Sequence, residues 1–115
     1  MAKKELTPVQ LNLNEFGAVT FEAGTTDGFK IPYTWADNKI LLIFTNSGTA
    51  ATLTIKRGNG IQGVTDLAAY SIAQDGYAAI RLDSGWFKQV SGEDKDSVII
   101  VPSATTISGA VIQLP

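Results

Sequence analysis

Short apolar segments separated by turn residues run along the whole chain, and this spacing restricts it to β structure. In residues 51–57, Leu53 and Ile55 face one way while Thr52 and Thr54 face the other, as in a strand with one buried face. Helical periodicity fits poorly throughout, because Gly, Ser, Thr and Asn recur every few residues. The pattern predicts strands at residues 8–13, 18–21, 29–35, 39–45, 51–57, 67–73, 77–82, 86–90, 97–101 and 105–114.

A chain of 115 residues suits one domain with one core. We therefore predict a single-domain antiparallel β-sandwich, either jelly-roll or immunoglobulin-like, with about eight to ten short strands. Residues 1–7 are polar and lead into Pro8, so we expect a flexible N-terminal arm followed by the domain at 8–115.

Three positions make this strand map testable. Asp75-Gly76 is a favoured type I′ turn, which predicts a hairpin between residues 67–73 and 77–82 with positive φ at Gly76. Pro32 cannot donate to a ladder, so its segment is expected at a sheet edge or at a bulge. Trp86 opens a predicted strand and is expected in the core.

Composition excludes several kinds of chemistry. The chain has neither cysteine nor histidine, which removes disulfides, thiolate sites, Ser-His-Asp triads and the commonest general base. The net charge of −2 argues against nucleic-acid binding. The longest apolar run, residues 40–44, is too short for a membrane helix, and the N-terminal residues lack an apolar h-region, so we expect no signal peptide there. We expect no enzyme, no cofactor and no membrane contact.

The remaining candidate sites have ordinary structural explanations. Glu93-Asp94-Lys95-Asp96 groups hard oxygen ligands, but it lacks EF-hand spacing and carries a lysine, so no metal is expected. The glycines of residues 58–63 resemble a dinucleotide-binding loop, yet a strand rather than a helix is predicted to follow. Carboxylates that could pair for glycoside hydrolysis mostly mark turns; they include Glu15, Glu22, Asp66, Asp83, Glu93 and Asp94.

Two features leave alternatives open. The aromatic residues could form the core or an exposed platform on which a sugar stacks; they are Tyr33, Trp35, Tyr70, Tyr77 and Trp86. The continuous apolar runs 40–44 and 98–101 should leave some side chains facing outward. Those side chains either lie on the surface or are covered by another subunit.

Five stretches from about Asp37 onward carry a resemblance to a known family: KILLIFTN at 39–46, TLTIKRGNGIQG at 52–63, Asp66-Leu67, AIRLDSGWF at 79–87 and IQLP at 112–115. Through them the chain resembles the small virion proteins that decorate the capsids of tailed bacteriophages. The resemblance covers roughly two-thirds of the chain, and its family carries no catalytic motif to transfer.

The resemblance implies a non-enzymatic protein that coats an assembled capsid in many copies and reinforces it. Its expected partners are the major capsid protein or another virion protein and, further, a second copy of this chain. Its expected location is the virion, after synthesis in the host cytoplasm. An extended arm can add a strand to a partner's sheet edge, so the expected contact residues are Lys3, Lys4, Glu5, Leu6 and Thr7. The alternative is a carbohydrate- or receptor-binding sandwich module of a phage tail or cell surface.

Overall fold

A computed structural model describes residues 3–33, 39–60, 65–82 and 84–114. This part of the chain holds ten strands and one helical turn, α1. The strands are short, and three of them have only two residues. Their bounds are β1 Lys4–Glu5, β2 Val9–Gln10, β3 Glu22–Ala23, β4 Phe29–Pro32, β5 Ile40–Asn46, β6 Ala51–Ile55, β7 Leu67–Ile72, β8 Tyr77–Ile80, α1 Ser84–Phe87, β9 Ser97–Pro102 and β10 Ile107–Gln113.

The strands form two sheets, which confirms the predicted all-β sandwich. The first sheet has the order β1-β4-β9-β6-β7, and the second has the order β2-β10-β5-β8 with β3 also pairing to β10. After β4 the chain changes sheet at each connection between described strands except the one from β6 to β7. The sheets are mixed rather than antiparallel throughout, because β1 runs parallel to β4 and β2 runs parallel to β10.

The core lies between the two sheets and is built by strand alternation. In β5, Ile40, Leu42 and Phe44 are buried in it while the residues between them are half-buried. The Phe44 ring packs on the ring of Phe29 from the opposite sheet, with centroids 5.4 Å apart. The second apolar run contributes Val98 and Ile100 to the same core, and Ile99 between them is buried as well.

The predicted hairpin between residues 67–73 and 77–82 is wrong. β7 pairs with β6 in the first sheet, whereas β8 pairs with β5 in the second. The turn at 73–76 is closed by the Gly76 N–H, which donates to the Ala73 carbonyl over 2.9 Å. Positive φ falls on Asp75, at 60°, and not on Gly76. A turn of this kind can connect two strands of one sheet or two strands of different sheets. The Asp75-Gly76 dipeptide alone therefore does not determine whether β7 and β8 pair with each other.

Three other local predictions also fail. Residues 84–87 form the helical turn α1 instead of starting a strand at Trp86, and Trp86 is 43% exposed rather than in the core. The predicted strand at 18–21 is absent, and β3 lies just after it. Pro32 ends β4, which lies between β1 and β9 and pairs regularly with β9, so the predicted edge strand or bulge is wrong. The proline is tolerated because Gly28 and Lys30 accept from β1, alternation directs position 32 to the same side, and β1 ends at Glu5, opposite Lys30.

Candidate functional site

The strands β7 and β8 are the terminal strands of their sheets, and they lie on the same side of the sandwich. The short turn at 73–76 joins them, so the two sheet edges stand next to each other. Within the described part of the chain, no strand pairs with the outer edge of either one. Unpaired edges carry free main-chain donors and acceptors, which are templates for another extended chain.

A cleft of about 550 Å³ opens between these two edges; we call it the β7–β8 cleft. Its volume is within the usual range of ligand pockets, which is about 300–1,000 Å³. The two tyrosine hydroxyls are the only polar side-chain atoms among its described lining residues. The lining consists of Phe44, Leu53, Ile55, Leu67, Tyr70, Tyr77, Ala78, Ala79 and Ile80.

A β-bulge directs two side chains of β7 into this cleft. Leu67 pairs with Ile55 and Tyr70 pairs with Leu53, so three steps along β7 match two steps along β6. Residues opposite each other in a ladder share a face. Leu67 and Tyr70 therefore both face the interior, although they are three residues apart. They remain exposed there, Tyr70 by 61%, because none of the described strands lies beyond β7 to cover them.

Buried polar contacts hold one end of this open side together. The side chain of Asn46, fully buried at the end of β5, donates to the carbonyls of Thr49 and Ile72 over 2.8 and 3.0 Å. Its oxygen accepts from the Gly48 N–H and the Thr106 hydroxyl. The contact with Ile72 links the end of β7 to the opposite sheet. The β7–β8 cleft is therefore anchored at the turn and open along the strands.

The buried Tyr33 makes a second link, near the end of β8. Its hydroxyl donates to the Leu82 carbonyl over 2.7 Å and accepts from the Leu82 N–H over 3.2 Å. Of the five aromatic residues weighed as core or sugar platform, Tyr33 is thus core. Tyr70, Tyr77 and Trp86 are exposed, and the first two share the cleft. Trp35 lies outside the described residues.

The predicted contact segment occupies the opposite side of the sandwich. Residues 3–7 are packed on the domain rather than projecting from it as a separate arm. The N–H groups of Lys4 and Leu6 donate to the carbonyls of Gly28 and Lys30 at 2.9 and 3.0 Å. Leu6 is 1% exposed and belongs to the core. The apolar side chain at position 6, surrounded by polar residues, explains why this segment docks.

The polar residues of the segment lie at the surface. Lys3 forms an ion pair with Asp94 at 3.3 Å, and Lys4 forms one with Glu22 at 3.1 Å. Glu5 and Thr7 are exposed. Because Lys4 and Leu6 face β4, alternation directs the main-chain groups of Glu5 outward along the free edge of β1.

An apolar loop adjoins this side of the sandwich. Residues 11–21 connect β2 with β3, both of which pair with β10. Leu13 is 83% exposed, and the Phe16 ring is exposed completely. Asn14 between them has a φ of 62°, the left-handed conformation of a tight turn. We call residues 11–21 the apolar loop.

Most carboxylates in the described ranges are paired with lysines or lie at turns. In the Glu93–Asp96 cluster, Asp94 contacts Lys3 and Lys30, and Asp96 lies 4.0 Å from Lys88. Within the described ranges, no three acidic side chains are grouped closely enough to hold a metal ion. Asp83 lies outside them, and so do residues 61–64 of the glycine-rich loop. A Cβ at Gly58 in that loop would collide with the Lys88 carbonyl, so this glycine serves close packing.

Asp66 is the acidic residue with the clearest electrostatic environment, at the end of the cleft beside Leu67. Its Oδ1 accepts from the Arg57 N–H at 2.8 Å and its Oδ2 from the Lys56 Nζ at 3.3 Å. These hydrogen bonds, the backbone one foremost, favour the ionised form and hold the pKa of Asp66 below its ordinary value. The two hydrogen bonds of Asp66 link the residues that follow β6 to the residue that precedes β7.

Comparison of the chain with family models, curated proteins and solved structures gave no match. No helix in the described ranges is long and apolar enough to cross a membrane.

Sequence reasoning missed both the β7–β8 cleft and the apolar loop. The cleft depends on which strands end each sheet, which local patterns do not encode. The loop carried a usable signal, since Phe16 stands between the turn-forming residues Asn14 and Gly17, outside any alternating run.

Proposed function

We propose that this chain is a non-enzymatic structural protein of a bacteriophage virion, which binds the surface of an assembled capsid and reinforces it. The sequence resemblance supports the capsid as the partner. The lack of histidine and cysteine supports a binding role over a catalytic one. Partners of such a protein are recognised through sheet edges and apolar surface rather than through a chemical site.

The observation that carries the proposal is the free edge of β1. The segment expected to touch the capsid lies at the end of a sheet, with the main-chain groups of Glu5 directed outward. An extended segment of a capsid protein can pair with this edge and continue the first sheet. Lys3, Lys4, Glu5 and Thr7 then flank the contact, while Leu6 serves the core instead.

Binding to assembled shells tests this function. The protein is mixed with undecorated shells of the phage that encodes it, the shells are sedimented, and the bound protein is measured against concentration. We expect saturable binding to shells and far weaker binding to unassembled capsid subunits. A protein that stays in the supernatant at every concentration contradicts the function.

A proline at position 5 tests the edge itself. Glu5→Pro removes the outward N–H but leaves the inward hydrogen bonds of Lys4 and Leu6 in place, and proline is tolerated where an edge faces solvent. Glu5→Ala is the matched control, because it removes the side chain and keeps the N–H. We expect Glu5→Pro to weaken shell binding at least about tenfold, which corresponds to one charge-free hydrogen bond or slightly more. Equal binding of both variants would exclude β1 as the contact.

The exposed tyrosines of the β7–β8 cleft favour a second candidate, a carbohydrate- or receptor-binding module. Tyr70 and Tyr77 could stack on sugar rings. Sugar sites also need several polar groups to bind hydroxyls, and the described lining offers only the two tyrosine hydroxyls. Titration with free oligosaccharides, followed by tyrosine fluorescence, distinguishes the two, since a capsid-binding protein gives no signal.

A further inference from the structure

We propose that the β7–β8 cleft receives an extended segment of a partner protein, which pairs with the free edge of β7 and inserts apolar side chains between the two sheets. The segment that fits this site has apolar residues at alternate positions and an acidic residue near one end. The inference concerns a second contact surface, separate from the free edge of β1, so it holds or fails on the purified protein without any capsid.

The outer edge of β7 directs main-chain donors and acceptors away from the sandwich. The main chain of Thr52 faces β9, because the Ser103 N–H donates to the Thr52 carbonyl over 2.8 Å. Thr52 is also the partner of Ser71 in the β6–β7 ladder, and opposite residues of an antiparallel ladder exchange either both hydrogen bonds or none. The N–H and C=O of Ser71 are therefore directed to the free edge, where an extended chain can bind them.

The apolar space beside this edge is unfilled. Leu67 and Tyr70 face it from β7 and remain exposed, by 38% and 61%. From the other sheet, β8 contributes the short side chains of Ala78 and Ala79. A strand added next to β7 would continue the first sheet, and every second side chain of that strand would enter the cleft and cover Leu67 and Tyr70.

The chain's own apolar loop reaches this side of the sandwich without closing the cleft. The rings of Phe21 and Tyr77 meet edge-on, with centroids 6.2 Å apart. Phe21 is not among the lining residues, and Tyr77 remains 71% exposed. The contact therefore supports Tyr77 at the rim and leaves the space beside β7 open.

The opposite side of the sandwich shows which kind of occupant closes such an opening. There an extended segment donates from Lys4 and Leu6 to the carbonyls of Gly28 and Lys30 in and next to β4, and Leu6 is buried between the sheets. Both conditions of that contact, an unpaired strand edge and an apolar space beside it, are met again at the β7–β8 cleft. A polypeptide segment satisfies both, whereas a small apolar molecule would leave the edge of β7 unpaired.

Charge indicates the acidic residue of the segment. The turn at 73–76 joins the end of β7 to the start of β8, so the start of β7 and the end of β8 lie together at the other end of the cleft. Four charged residues there stand within two positions of the lining, and three of them are basic: Lys56, Arg57, Asp66 and Arg81. An acidic residue at this end of the bound segment complements the excess of positive charge and fixes its direction.

The test begins with a library of octapeptides that have apolar residues at alternate positions and random residues between them. The library is selected on the purified protein, and the most enriched peptide is synthesised and titrated calorimetrically. We expect enrichment of sequences with aspartate or glutamate near one end. The matched control is the same peptide N-methylated at alternate residues, which keeps the apolar side chains but cannot donate to β7, and it should bind at least about tenfold more weakly.

Variants of the protein identify the surface that binds the peptide. Ser71→Pro removes the outward N–H and Tyr70→Asp places a charge in the apolar space, so each should weaken binding at least about tenfold. Ser71→Ala, which keeps the N–H, and Val90→Ser, which removes an exposed apolar side chain outside the cleft, should bind as the wild type does. Thermal melts verify folding, and the N-methylated peptide tests the same pairing from the partner's side.

Three outcomes would overturn the inference. The first is a selection that enriches nothing above a matrix without protein. The second is equal binding of the N-methylated and unmodified peptides, which would mean that the cleft takes apolar groups without main-chain pairing. The third is a peptide affinity that neither Ser71→Pro nor Tyr70→Asp changes, since the peptide would then bind elsewhere on the molecule.

Discussion

On one side of the sandwich the N-terminal segment spans both sheets and buries Leu6 between them, whereas on the other side β7 and β8 leave a cleft. Both sides begin from the same problem, because two stacked sheets always expose their core at the lateral edges. At the edge formed by β1 and β2, the extended N-terminal segment covers the core with the side chain of Leu6. The β7–β8 side is anchored by Asn46 and Tyr33 and remains open between them.

The difference indicates that the N-terminal side of the sandwich serves stability, whereas the β7–β8 side offers surface for binding a partner. The closed side contributes to the core, so changes there should appear in the free energy of unfolding. The open side keeps apolar surface in water, so changes to its exposed residues should appear in association and leave unfolding nearly unchanged.

Leu6→Ala should have the largest effect on stability. Leu6 is fully buried, and truncating a buried leucine costs about 2–5 kcal/mol through lost burial and a residual cavity. Leu13→Ala is the matched control, because the same change at an exposed leucine should cost less than about 0.5 kcal/mol. Urea denaturation measures both. A cost below about 1 kcal/mol at Leu6 would mean that the N-terminal side is not part of the core in solution.

Asn46→Ala should have the next largest effect, on the open side. The change removes the hydrogen bonds to the carbonyls of Thr49 and Ile72 in a buried environment, which costs about 1–3 kcal/mol. Asn59→Ala is the control, since Asn59 makes a comparable pair of bonds, with Val90 and Ser91, at the surface. Chemical denaturation should show the smaller loss at position 59. Equal losses would contradict the role of Asn46 as the anchor between β7 and the second sheet.

The turn at Asp75 offers the smallest and most local test. A β-branched side chain resists positive φ, so Asp75→Val should destabilise by about 1–2 kcal/mol. Asp75→Gly should be neutral or slightly stabilising, because glycine adopts this conformation without strain. Thermal denaturation of the two variants gives the comparison. If Asp75→Val proves neutral, the left-handed residue of the turn lies elsewhere and the path from β7 to β8 needs revision.

The sequence alone predicted the strand content and most strand positions, because side-chain alternation is a local property that survives in any sheet. It predicted a strand at 39–45 whose apolar run 40–44 leaves some side chains facing outward, and in β5 Ile40, Leu42 and Phe44 are in the core while the residues between them are half-buried. It also restricted the available chemistry, since residues that are missing from a sequence cannot appear in its fold.

Only the tertiary structure decided which strands meet. Asp75-Gly76 suits a hairpin and a corner between sheets equally well, and the choice was made by the pairing of β7 with β6 and of β8 with β5. Residues 3–7, which are polar apart from Leu6, were predicted to form a flexible arm. In the structure Leu6 is buried between the two sheets. Pairing and burial depend on residues far apart in the chain, so the β7–β8 cleft and the docked N-terminal segment were set by long-range packing that no local pattern contains.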